Sequence, residues 1–93
     1  MENQMNAIVT VVGTDKVGII AKVSAFLAEI NINIEDISQT VLSGKFVMMM
    51  MVNLSEAKDS LETVKAELNE MGKALNVSIS LMHEGVFSAM HRI

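Results

Sequence analysis

The run from Val9 to Ile34 constrains this chain more than any other feature. It reads as a buried strand ending at Gly13, a tight loop holding Asp15 and Gly18, an amphipathic helix, and a second strand that opens at Asn33. Gly18 falls where the loop turns into the helix. A residue without a Cβ there lets another molecule approach the backbone closely. The first helical N–H groups have no intrahelical acceptors, and the helix dipole makes that end partly positive. A small anion such as an amino-acid carboxylate can use both features. The same glycine also fits a purely structural role, letting helix and strand pack tightly. The spacing alone admits both readings.

The rest of the chain supplies the partners for this unit. Asn6 to Val12 is rich in β-branched residues with apolar side chains on both faces, as in a central strand. Thr14 or Asp15 is placed to cap the helix that follows. In that helix Ile19/Ile20, Val23, Phe26/Leu27 and Ile30 recur at helical spacing. No glycine ends it, so Asn31 is the natural left-handed cap. In the second strand Ile32 and Ile34 share one parity and Ile37 and Val41 the other. A bulge near Glu35–Asp36 reconciles them. Ser43-Gly44 signals a tight turn, and Phe46 to Val52 returns as the hairpin partner.

Ser55 and Glu56 suit the start of a second helix, in which Ala57, Leu61, Val64, Leu68, Met71 and Leu75 recur at steps of four and three. Met71-Gly72 suggests its stop. Val77, Ile79 and Leu81 then alternate with Ser78, Ser80 and Met82, as in a strand with one wetter face. Val86, Phe87, Met90 and Ile93 of the tail, residues 84–93, fit one face of a short helix.

The order is β-α-β-β-α-β plus a tail, in a single domain over residues 1–93. Right-handed crossovers give a ferredoxin-like α+β sandwich, with an antiparallel sheet of order 4-1-3-2 and both helices on one face. The other face is then left open, although strands one and three carry apolar residues of both parities. The tail, a second copy of the chain or a larger partner is needed to cover it.

Composition excludes several function classes. The only arginine is Arg92 and the net charge is −4, so the clustered cations that neutralise phosphates in nucleic-acid binding are missing. Anionic membrane surfaces are disfavoured for the same reason. No apolar run reaches the ~20 residues of a membrane helix. The N-terminus lacks the pattern of a secretory signal, which points to the cytoplasm. Cysteine is absent, which removes disulfides and thiol chemistry. Without paired cysteines in the first loop, or aromatics on strands one and three, metal-carrying and RNA-reading versions of this architecture do not fit.

Catalytic signals are poor. Ser24 has no evident base, and His83 and His91 with Glu84 make a weak metal set. Asp15, Glu35 and Asp36 read better as a cap and solvated strand positions than as paired acids. Met48 to Met51 alternate between sheet faces and so do not converge on a soft metal. No catalytic residue, metal or cofactor is expected.

The residues Val9-Thr-Val-Val-Gly-Thr-Asp-Lys-Val-Gly-Ile-Ile, then Val23-Ser-Ala-Phe-Leu-Ala, then Asn33-Ile34 resemble the ACT domain pattern. The likeness covers nearly the whole chain. It is closest to the small stand-alone ACT proteins, and extends to the ACT regions of glycine-cleavage regulators and formyltetrahydrofolate deformylases. The tail Phe87 to Ile93 resembles the end of the stand-alone group. Two positions differ from the pattern. Lys16-Val17 stand where Arg-Pro is usual, and the glycine normally preceding Asn-Ile is missing.

The resemblance implies a non-catalytic regulatory or sensor domain. It implies a homodimer that binds an amino acid or similar metabolite at the interface between copies. Carried over residue by residue, the ligand groups are Gly13, Asp15, Val17, Gly18 and Ile19, with Asn33 from across the interface. The alternative is a protein-interaction module, or a regulatory subunit of a larger complex, without its own ligand.

Overall fold

A computed structural model describes residues 6–14 and 18–85. The elements are β1 (Asn6–Gly13), α1 (Ile19–Glu29), β2 (Asn33–Leu42), β3 (Lys45–Asn53), α2 (Leu61–Leu75) and β4 (Ser78–His83). All pairings are antiparallel, and the sheet order is β2-β3-β1-β4. This is the expected order read from the opposite edge. β1 and β3 are the two inner strands, and each is paired on both sides along its apolar run. Val9 sits between Met50 on β3 and Leu81 on β4.

The core lies between one sheet face and the two helices. Ala7, Val9 and Val11 of β1, Phe46, Met48, Met50 and Val52 of β3, and Ile79 and Leu81 of β4 meet Ile19, Val23 and Leu27 of α1 and Val64 and Leu68 of α2. Met48 and Met50 are fully buried, each worth about 1.5–3 kcal/mol of transfer free energy. α1 packs on the β2 side of the molecule and α2 over β4. The residues between the core positions face the other way. Val47, Met49 and Met51 are half-buried there, in register with Val12, Thr10 and Ile8.

Two local devices set the register of β2. The register shifts between Ile34 and Asp36, so Glu35 is the extra residue of a bulge, as the parity conflict requires. The bulge lets Ile34 pair with Val52 and Ile37 with Met50, both core-side residues of β3. At the other end Leu42 pairs with Lys45 across a two-residue turn, with φ +53° at Ser43 and +77° at Gly44. Positive φ at both positions is what a type I′ turn needs. Asn31, at φ +62°, makes the left-handed turn after α1.

Three helix ends differ from the sequence expectation. Thr14 is not the N-cap of α1. Thr14 is an exposed bend, Asp15 lies outside the described residues, and the N-cap is Gly18 with no side-chain cap. The second helix starts after Ser60 rather than Ser55. Ser60 Oγ accepts from Thr63 N at 3.3 Å, while Asn53 Oδ1 accepts from Ser55 N at 2.8 Å and holds Ser55 in a turn. Lys58 N donates to Ile30 O at 2.9 Å, which ties this segment to the end of α1 and delays the helix.

The helix also runs past Gly72 to Leu75 and ends on Asn76 at φ +61°. Gly72 serves close approach instead: a Cβ there would lie 2.8 Å from Val77 O, where β4 begins. The expected tail helix falls largely on residues 86–93, outside the described residues.

Two substitutions test these assignments. Gly72→Ala adds helix propensity of up to ~1 kcal/mol, but overpacking against backbone costs about 1–3 kcal/mol. The expected net result is a lower Tm in a thermal melt. Ser60→Ala is expected to cost about 1 kcal/mol in a denaturant titration.

Candidate functional site

The end of β1 fixes where α1 begins. Gly13 is the last residue of β1, and a Cβ on it would collide with Val77 Cγ1. Gly13 is therefore required for packing against the start of β4. Gly18 differs. Its φ is +75°, and a Cβ built on it meets nothing within 4 Å among the described residues. The surface above Gly18 is open.

Below it, α1 starts without help. Gly18 O accepts the first intrahelical bond, from Lys22 N at 3.0 Å. Among the described residues no side chain caps the N–H groups of the first turn, and that turn carries no acidic residue. Ile19 is buried in the core, so its side chain anchors the helix start while its amide stays at the end. The result is a helix end with unneutralised dipole charge beside a bare glycine. Such an end attracts a carboxylate or phosphate oxygen.

Gly18 and Ile19 are therefore together, with Gly13 one loop away. Asp15 and Val17 belong to the same loop and lie outside the described residues. Asn33 is not brought to this end. It pairs with Asn53, which pairs with Asn6, whereas Gly13 pairs with Phe46. Seven residue steps of β1 separate the two rows, about 23 Å. Exposed Asn33 instead lines a cavity of about 440 Å³ with Ala28, Asn31, Ile32 and Glu56, at the far end of α1.

Sequence reasoning missed one feature near Gly13. A cavity of about 510 Å³ is lined by Val12, Gly13, Thr14, Lys45, Lys73 and the start of β4, among others. The two lysines come from the hairpin turn and the end of α2, and only their placement in the fold reveals the pairing. Among the described residues, no group of three His, Asp or Glu side chains is placed to hold a metal ion. His83 Nδ1 accepts from Gly85 N at 3.0 Å. No helix among the described residues is long and apolar enough to cross a membrane.

Comparison with known proteins agrees with this architecture. Residues 6–82 match the family model of the ACT domain. The chain is 54% identical over 89 residues to a UPF0237 protein of Clostridium acetobutylicum, covering 96% of this chain and all of that one. An ACT domain protein from Streptococcus pneumoniae superimposes with a TM-score of 0.81 at 46% identity, covering 96% of this chain and all of that one.

Two distant neighbours share the fold. A putative glycine cleavage system transcriptional repressor gives a TM-score of 0.77 at 21% identity, with coverage of 89% of this chain and 48% of that one. A formyltetrahydrofolate deformylase from Pseudomonas syringae gives 0.77 at 22%, with 89% and 28% covered. The fold, the length and these matches together place the chain in the ACT domain family, a class of regulatory, small-molecule-binding and non-catalytic domains, among its UPF0237 members.

Proposed function

We propose that the protein is a sensor that binds an amino acid, or a metabolite of similar size and charge, between two copies of the chain. The observation that carries this reading is the uncapped start of α1 beneath the open Gly18. The ligand carboxylate accepts from the first-turn amides. Asp15, from the same loop, receives the ammonium group, and Val17 borders the site.

The second copy supplies what one chain lacks. β2 is an edge strand, exposed along nearly its whole length, with Val41 68% and Leu42 58% exposed. An unpaired strand of this kind is a template for another strand. Antiparallel pairing of two β2 strands brings Asn33 of the second copy toward the Leu42 end of the first. That end is level with Gly13, since Val41, Phe46 and Gly13 form one row. α1 lies on this side of the sheet. The Asn33 amide, which donates and accepts, then reaches the ligand. Output passes to another protein through the change in how the two copies are held.

A thermal-shift screen of the natural amino acids at millimolar concentration tests the reading. At a hundredfold excess over Kd a true ligand stabilises the fold by about 2.7 kcal/mol. A folded dimer that none of them stabilises rejects the proposal. Gly18→Asn tolerates the left-handed backbone but fills the notch, so it is expected to keep the fold and lose the response. Val41→Lys places a charge on the exposed edge. It is expected to keep the chain folded, to give monomers in sedimentation, and to abolish the response.

A further inference from the structure

We propose that residues 86–93 of each chain lie across the open face of that chain's own sheet. This inference is independent of the ligand. Four observations converge on it.

The first is an apolar row at the right place. On the face away from the helices, Met82, Ile8 and Met51 lie side by side on β4, β1 and β3. Ile8 is only 5% exposed although it is outside the helix-side core. β4 ends at His83, one residue beyond this row, paired with Ala7. The chain thus leaves the sheet beside the densest apolar part of the open face.

The second is an orphaned acceptor. Asn6 follows Ile8 on the same face, one row further, and the row after His83 on β4 is level with it. Its Oδ1 is buried and accepts no hydrogen bond among the described residues. A buried acceptor left without a donor costs about 1–3 kcal/mol. The segment that follows Gly85 leaves the sheet at this level and can bring a donor to it.

The third is reach and pattern. From β4 to β2 is three strand spacings, about 14 Å. Eight residues span about 12 Å as a helix and about 26 Å extended. Val86, Phe87, Met90 and Ile93 recur at helical spacing, which gives the segment one apolar face to lay on the row. A cavity of about 170 Å³, lined by Ile8, Asp36, Ser38, Met49 and Met51 among others, opens on the β2 side. A space of about 150 Å³ holds a benzene ring, so it admits one large apolar side chain.

The fourth is charge. Asp36 pairs with Met51 and so lies at the far end of the same row, and exposed Glu35 is next to it. His91 and Arg92 fall at the distal end of the segment, where it would arrive over these carboxylates.

The chain has no cysteine, so engineered pairs report placement directly. In the full chain, Met90→Cys is combined in turn with Thr10→Cys and Ser80→Cys on the open face, and with Lys65→Cys on exposed α2 as a control. A disulfide needs Cα atoms about 4.4–6.8 Å apart. Under mild oxidation at low protein concentration, at least one open-face pair is expected to bridge within one chain in most molecules, with only a trace in the control. Bridges formed between chains assign the face to a second copy and overturn the proposal. No bridge above the control also overturns it.

A chain ending at Gly85 gives a second readout. It is expected to melt at least ~4 °C lower and to bind an apolar-surface dye more strongly. Unchanged melting and dye binding reject the docking. If the shortened chain does not fold, the cysteine pairs in the full chain still decide.

Discussion

Pairing of β1 along both edges and burial of its helix-side face is the constraint on which the other elements depend. Val9 and Val11 reach zero exposure because β3 and β4 flank them and the helices cover them. A strand paired on both sides has no freedom to slip, since a shift of one residue would turn Val9 and Val11 to the wetter face. The end of β1 is thereby fixed, and Gly13 lets Val77 close against it. The loop that follows must then deliver α1 onto the sheet within a few residues. Gly18 does so in a left-handed conformation that other residues adopt at a cost.

The candidate site is a by-product of that delivery. A glycine at the N-cap brings no side chain of its own to the first-turn amides, and among the described residues none caps α1. Capping would satisfy the first-turn amides inside the chain; leaving them uncapped keeps them available to something else. α2 shows the contrast within the same molecule. It begins on Ser60, whose hydroxyl accepts from Thr63 N, and carries Glu62 in its first turn. Two helices of one fold are started in opposite ways, and only the uncapped one lies beside a bare glycine.

The sheet has two unfinished parts of different character. Its β2 edge offers backbone groups, with exposed Val41 and Leu42 beside them. Its open face offers a Met-rich apolar row and an orphaned carbonyl. A strand from another chain satisfies the first, because it needs a ladder of hydrogen bonds. The second needs apolar side chains and a single donor, which a short amphipathic segment supplies. Methionine suits such a face because its unbranched side chain adapts to whatever covers it.

The alternation of apolar residues determined the six elements, the bulge at Glu35 and the turn at Ser43-Gly44, because these follow from which faces must be buried and from local backbone geometry. Asn31 was legible for the same reason: with no glycine after α1, it is the residue best suited to a positive φ. The family pattern also named Gly18 and Asn33.

Local sequence could not choose between Ser55 and Ser60 as a cap. That choice rests on the Lys58 N to Ile30 O bond, a contact between segments distant in sequence. Nor could it separate a glycine that ends a helix from one that lets a strand pass, as Gly72 does beside Val77. The sequence already set Gly18 before α1 and Asn33 after it, but only the tertiary structure put about 23 Å of sheet between their rows. The separation arises because a crossover helix carries the chain back along the length of the sheet, so the helix's two ends lie at opposite ends of the strands.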